Sequence, residues 1–232
     1  MIKTWCIGTI NAIFLSRMEN ILRLYRLPYD KRFPVVCFDE RPCFLIGDVI
    51  KGFELKPEQV RKQHYEYAKN GCCNLLLAIE PLTGKRIAMI TDRRRKIEYA
   101  EFMEQLVPHF PEAEKIRLIQ DNLNTHNSSS FYERFDAQVA YDLAQKFEFN
   151  YTPIKGSWLN AVEIEFSAIA RTALKKRIPT KEQVEKQIFA CVKEREKKKI
   201  KIIWQFDITA ARNKMNRHYA KLNQDNLKFK LI

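Results

Sequence analysis

With 232 residues, 46% of them hydrophobic, the chain has enough apolar material for a full core, which excludes a disordered tail or a low-complexity linker. Forty-one Lys and Arg against 28 Asp and Glu leave a formal charge of +13, which points to a polyanionic partner, nucleic acid ahead of other polyanions. Six scattered cysteines, none in a Cys-x-x-Cys pair or near a His at zinc spacing, exclude a disulfide scaffold or zinc module, and the uncharged run Thr4 to Ser16 is too short to span a bilayer and lacks a cleavage site, so a cytoplasmic protein with buried, reduced cysteines is expected.

Residues 11 to 27 space Ile13, Leu15, Ile21, Leu22 and Leu24 at mostly helical intervals and stop at Pro28, predicting a helix that leads into the first strand. No complete helix-turn-helix domain is expected before it. Val35 to Glu40 is a β-branched and aromatic run ending in Asp39 and Glu40 before Arg41-Pro42, as a buried strand with an acid at its tip would read. Residues 41 to 73 look irregular. Within them, the cations and rings from Arg61 and Lys62 to Lys69 suit phosphate contacts and base stacking as well as they suit a solvated loop.

Two apolar runs, Asn74 to Glu80 and Arg86 to Asp92, are joined by Pro81-Leu82-Thr83-Gly84-Lys85, a hairpin with glycine in its turn. Arg93, Arg94 and Arg95 follow as candidate phosphate contacts, and Lys155 further on joins them. A helix carrying Phe102, Leu106 and Val107 comes next, then a strand from Ile116 to Gln120, a helix around Phe131 to Phe147, and a half-buried or edge strand from Phe147 to Tyr151. A long helix is expected from Gly156 to about Lys175, with Leu159, Val162, Phe166, Ile169 and Ala173 as its core stripe. Thr180 to Gln183 form a capping box for another helix, and the basic tail from Asp207 is helical in part. Trp158 reads as a core residue.

The polar cluster Asp121-Asn122-Leu123-Asn124-Thr125-His126 sits at the carboxyl end of a strand, where open α/β sheets place their chemistry. Neighbouring strands lie about 4.8 Å apart, so Asp39 and Asp121 at adjacent tips can share a divalent cation. Acids at strand ends also serve as turn formers, so a third acid is needed to carry the case. Glu163 and Glu165 flank the apolar stripe on opposite sides, each roughly 80° from its centre, and periodicity does not choose between them.

Phe38-Asp39-Glu40, Asp121 to His126, and Trp158-Leu159-Asn160-Ala161-Val162-Glu163 resemble the three signature blocks of the DDE transposases of the mariner superfamily, specifically its bacterial insertion-sequence branch. The resemblance runs from about Tyr25 to Lys214. It implies an α/β fold with an RNase H-like mixed five-stranded sheet flanked by helices: a helical lead-in over residues 1–30, the catalytic domain over 31–178 and a basic helical extension over 179–232.

It also implies Asp39, Asp121 and Glu163 as catalytic, metal-holding acids, with Glu165 as runner-up. Asn122, His126 and Asn160 support these acids or orient DNA. Two Mg2+ ions, replaceable by Mn2+, are the expected cofactors. The expected partners are double-stranded DNA at transposon ends and target, a second copy of the chain in the DNA complex, and a separate chain carrying the helix-turn-helix. The sequence departs from the family pattern at Ala161, where the motif usually has Pro, and in a longer interval between Asp121 and Glu163. Two other functions fit the same blocks: a remnant that only binds DNA without sequence choice, and a different RNase H-like nuclease.

Overall fold

The computed structural model describes residues 10–50, 64–223 and 225–226. Five strands form one mixed sheet: β1 (Val35–Asp48), β2 (Tyr67–Glu80), β3 (Lys85–Thr91), β4 (Ile116–Gln120) and β5 (Phe147–Tyr151), in the order β3-β2-β1-β4-β5. β1 to β3 are antiparallel neighbours, whereas β4 joins β1 in parallel and β5 joins β4 in parallel. This is the RNase H-like sheet expected. The eight helices among the described residues are α1 (Ala12–Arg26), α2 (Lys96–Leu106), α3 (Ser129–Tyr132), α4 (Ala137–Gln145), α5 (Val162–Thr172), α6 (Lys181–Lys197), α7 (Ile208–Lys214) and α8 (Asn216–Leu222).

Strand alternation divides the core into two layers. Cys37, Leu75, Leu77, Ile79 and Ile119 face α1, α5, α6 and the C-terminal helices, whereas Val36, Phe38, Leu76, Ala78 and Leu118 face α2, α3 and α4. At 25 cal/mol per Å², each fully buried Leu or Phe contributes about 1.5–3 kcal/mol, so both layers anchor the sheet. No helix among the described residues is long and apolar enough to cross a membrane.

Several expectations need correction. β1 does not stop at Glu40 but runs to Asp48, and β2 starts at Tyr67, so much of the stretch read as irregular is a long two-stranded ribbon. Pro42 is tolerated because β4 pairs with β1 only from Val35 to Cys37, leaving one side of the strand without a ladder beyond that point. The single helix expected around Phe131 to Phe147 is two, α3 and α4, because Asp136 caps the second through the amides of Gln138 and Val139. α5 begins at Val162 instead of Gly156, after a 3₁₀ turn at Ser157–Leu159. Trp158 is 39% exposed and meets Phe206 edge-on, so it is not a core residue. Cys72 is exposed, unlike the buried Cys37, Cys43 and Cys73, and Cys6 lies outside the described residues. In the β2–β3 turn Gly84 takes φ +78°, and a Cβ there would meet the Ile200 carbonyl at 2.5 Å, so both backbone and space demand glycine.

Candidate active site

β1 and β4 run in parallel with Val35, Val36 and Cys37 opposite Arg117, Leu118 and Ile119. Carried two residues further, that register sets Asp39 opposite Asp121, the first residue after β4. Asp39 shares the sheet face of Cys37, against which α5 packs, and accepts the Glu40 amide at 2.8 Å. Burial pushes the Asp39 carboxyl up to about 7; the Glu40 amide opposes this, while the charges of Asp121 and Glu163 add to it. The three acids therefore share one electrostatic neighbourhood.

The two glutamates of α5 go to opposite environments. Glu165 is fully buried and held by two guanidinium forks, Arg86 at 2.8 and 3.0 Å and Arg195 at 2.5 and 3.0 Å. Burial alone would raise its carboxyl, but the hydrogen bonds from both arginines hold it below the ordinary range. Glu163 is exposed at the start of α5. Partial burial raises its carboxyl against the pull of Arg41, whose guanidinium donates to the Phe166 carbonyl at 3.0 Å. Helical periodicity treated the two alike; the arginines on β3 and α6 distinguish them.

Asn160 is buried and locks the entry to α5 onto β1. Its Nδ2 donates to the carbonyl of Phe38 at 2.8 Å, next to Asp39, and its Oδ1 accepts the Val162 amide at 3.4 Å. This local competition for the backbone ends the 3₁₀ turn and delays the helix. Tyr25 of α1 completes the clamp, donating its hydroxyl to the Leu159 carbonyl at 2.8 Å and accepting the Ala161 amide at 3.0 Å. Ala161 thus supplies an N–H to Tyr25 that proline at this position would lack.

His126 is fully buried. Its Nδ1 contacts Asp121 Oδ1 and its Nε2 lies 3.2 Å from Glu40 Oε1. The ring stacks on Tyr99, with centroids 5.0 Å apart, and meets Phe38 edge-on at 5.3 Å. Burial opposes a charged imidazole, but the hydrogen bonds to Asp121 and Glu40 outweigh it and push the ring up to about 9. Gln120 secures the loop from below, accepting the Tyr99 hydroxyl at 2.9 Å and donating to the His126 carbonyl at 2.7 Å. Sequence reasoning missed Glu40, Tyr99, Gln120 and Tyr25. A signal existed for Glu40, since alternation along β1 sends its side chain into the Phe38 layer, where a carboxylate needs a partner.

Asn122 is exposed on the loop after Asp121. Arg93 and Arg94 are exposed beyond β3, at the same end of the sheet as the acids, while Arg95 precedes α2, its amide donating to Glu98 at 2.9 Å and its guanidinium pairing with the same carboxylate at 2.8 Å. Lys155, also exposed, takes φ +62° in the loop from β5 to α5. Arg61 and Lys62 lie outside the described residues.

Three carboxylates supply the hard oxygen donors that magnesium prefers, and the Glu40 amide and the charge of His126 only partly offset the burial of Asp39, so the donor set suits a divalent cation in chemistry. Among the described residues, though, no three Asp, Glu, His or Cys side chains stand close enough together to hold a metal ion as they are.

A family profile described as DDE superfamily endonuclease matches residues 34–185. Comparison with curated protein sequences gives no match. Among solved structures, the Mos1 transposase paired-end complex with left transposon end aligns with a TM-score of 0.54 at 15% identity, over 86% of this chain and 62% of that one. The mariner Mos1 paired end complex with Mn aligns with a TM-score of 0.50 at 14% identity over the same shares. At such identity the likeness is one of fold, and the chain spans under two thirds of the length of either Mos1 chain.

Proposed function

The chain belongs to the DDE superfamily endonucleases, and from that premise we propose that it is the catalytic domain of a DNA transposase of the mariner superfamily, in its bacterial insertion-sequence branch. The observation that carries the reading is that the charges of Asp121, just past β4, and Glu163, at the start of α5, both act on the buried carboxyl of Asp39 within β1, while Glu165 is sequestered by arginines. In this reading residues 31–178 are the catalytic domain, 1–30 a lead-in and 179–232 a basic extension.

Asp39, Asp121 and Glu163 would hold two Mg2+ ions, or Mn2+. The bound metal supplies activation of the attacking hydroxyl and charge stabilisation of an in-line phosphoryl displacement. The remaining work falls to the chain. Asp39 would hold a cation as the carboxylate, its proton passing to solvent, while His126 holds one oxygen of Asp121 and Asn160 ties the entry of α5 to β1. Arg61, Lys62, Arg93, Arg94 and Lys155 would contact DNA phosphates, and Asn122 would orient the DNA. The DNA is double-stranded transposon end and target, bound by two copies of the chain, with a separate chain supplying the helix-turn-helix.

One observation favours a second reading, a remnant that only binds DNA: the acids do not close on a metal position as they stand. A duplex carrying the inverted repeats that flank the gene, incubated with the chain and Mg2+, separates the readings. The transposase cuts at the repeat and joins the 3′ end to target DNA. Cutting without joining would make it another RNase H-like nuclease, and binding without cutting and without preference over random sequence would leave the remnant.

A further inference from the structure

We propose that Glu40 is a positioning residue for Asp121, acting through His126, so that β1 both carries one metal-holding acid and fixes the orientation of another. The proposal rests on the transposase reading for what Asp121 holds, but its geometry stands independently. Asp121 is the first residue beyond β4 and opens onto the exposed residues Asn122 to Asn124, so the sheet ladder does not fix its side chain. Its Oδ1 accepts the Leu123 amide at a long 3.3 Å and contacts His126 Nδ1, and the His126 side chain is 0% exposed and walled by Tyr99 and Phe38. A ring so enclosed is set by the group at its far nitrogen, and that group is Glu40 Oε1 at 3.2 Å, on a side chain only 4% exposed.

Glu40 follows Asp39 on β1, with its side chain on the opposite face of the sheet. The chain Glu40–His126–Asp121 therefore wraps from the α2 face around the end of the sheet to the acid site. Carboxylates behind a histidine are the usual means by which a protein orients a group at a metal. Here the histidine addresses the acid instead of the metal. Without Glu40, the His126 Nε2 proton loses its acceptor in an apolar enclosure, the ring reorients, and Asp121 is released to several rotamers.

Two readouts on the full chain test this. In the metal-free protein, three-bond couplings measured by nuclear magnetic resonance report the Asp121 side-chain rotamer: one rotamer in the wild type and in Glu40→Gln, which keeps an acceptor oxygen, and averaging in Glu40→Ala. By calorimetry, Mn2+ binding weakens roughly 10- to 100-fold in Glu40→Ala, recovers most of that in Glu40→Gln, and loses nothing further when Glu40→Ala is added to His126→Asn. Glu40→Leu, which fills the space against the aromatic walls, replaces Glu40→Ala if the smaller side chain does not fold. A single Asp121 rotamer in Glu40→Ala, unchanged Mn2+ affinity, or an equal loss in the His126→Asn background would overturn the proposal. A wild type that binds no Mn2+ would instead sink the metal reading, and the rotamer comparison would still decide the role of Glu40.

Discussion

Glu163 and Glu165 stand two positions apart on one helical turn, yet their substitution should have opposite consequences. Removing Glu165 leaves Arg86 buried without its carboxylate, a loss of about 3–5 kcal/mol for Glu165→Ala in thermal or denaturant unfolding. Glu163→Ala should change stability by less than about 0.5 kcal/mol, because the side chain is exposed, while abolishing metal-dependent cleavage. Equal stability losses in the two variants would refute this division. Asp39 and His126 make a second prediction, in pH. Asp39 is raised from 3.8 to about 7, so the folded state keeps its proton longer than the unfolded chain; its contribution to stability is complete below about 3.8 and is lost as pH rises through 7. His126, raised from 6.5 to about 9, contributes fully below about 6.5 and loses that contribution as pH rises through 9. The melting temperature of the metal-free protein should therefore carry a declining component from pH 4 to 9, and Asp39→Asn should remove the part between 4 and 7. A variant whose pH profile follows the wild type across that window would contradict the assignment.

The elements differ in how much of them the sequence reveals, and the reasons are local. β4 and β5 are short, bounded by turns and apolar where they face the core, so their limits follow from side chains alone. β1 beyond Glu40 was hidden because Arg41-Pro42 reads as a stop, and only the withdrawal of β4 after Cys37 makes proline harmless there. The start of α5 was hidden because Asn160 bonds to Phe38, a partner 122 residues away that no local pattern contains. The same clamp yields a test. Ala161 has φ −62° and follows an extended residue, so Ala161→Pro fits the backbone and removes only the N–H given to Tyr25. In the wild type the lost bond, about 1 kcal/mol, offsets the gain from a stiffer unfolded chain. In Tyr25→Phe, where that bond is already gone, Ala161→Pro should stabilise by about 0.4–1 kcal/mol. Equal effects in both backgrounds would show that the Tyr25 bond does not govern this position.

Across the whole molecule, the order of the blocks that carry Asp39, Asp121 and Glu163 and the excess of cations are both read directly from the sequence. What composition does not convey is where the charge is spent: Arg86 and Arg195 are committed to Glu165, and Arg95 to Glu98, whereas Arg93, Arg94 and Lys155 remain exposed at the acid end of the sheet. Affinity for random duplex should accordingly fall steeply with salt, by roughly 10³-fold between about 50 and 200 mM for about six phosphate contacts. Replacing Arg93 and Arg94 together by alanine should flatten that slope by nearly two, measured by titration at several salt concentrations. An unchanged slope would place the DNA on another face.

The central claim is that Asp39, Asp121 and Glu163 act together as one divalent-metal site that cuts DNA. Single-turnover cleavage of a duplex bearing the flanking repeat tests it most directly, with binding of each variant measured in parallel. Mg2+-dependent cleavage that disappears in EDTA and in each of Asp39→Ala, Asp121→Ala and Glu163→Ala, with DNA binding retained, is the predicted result. Cleavage that survives in any of the three, or that proceeds in EDTA, would contradict it.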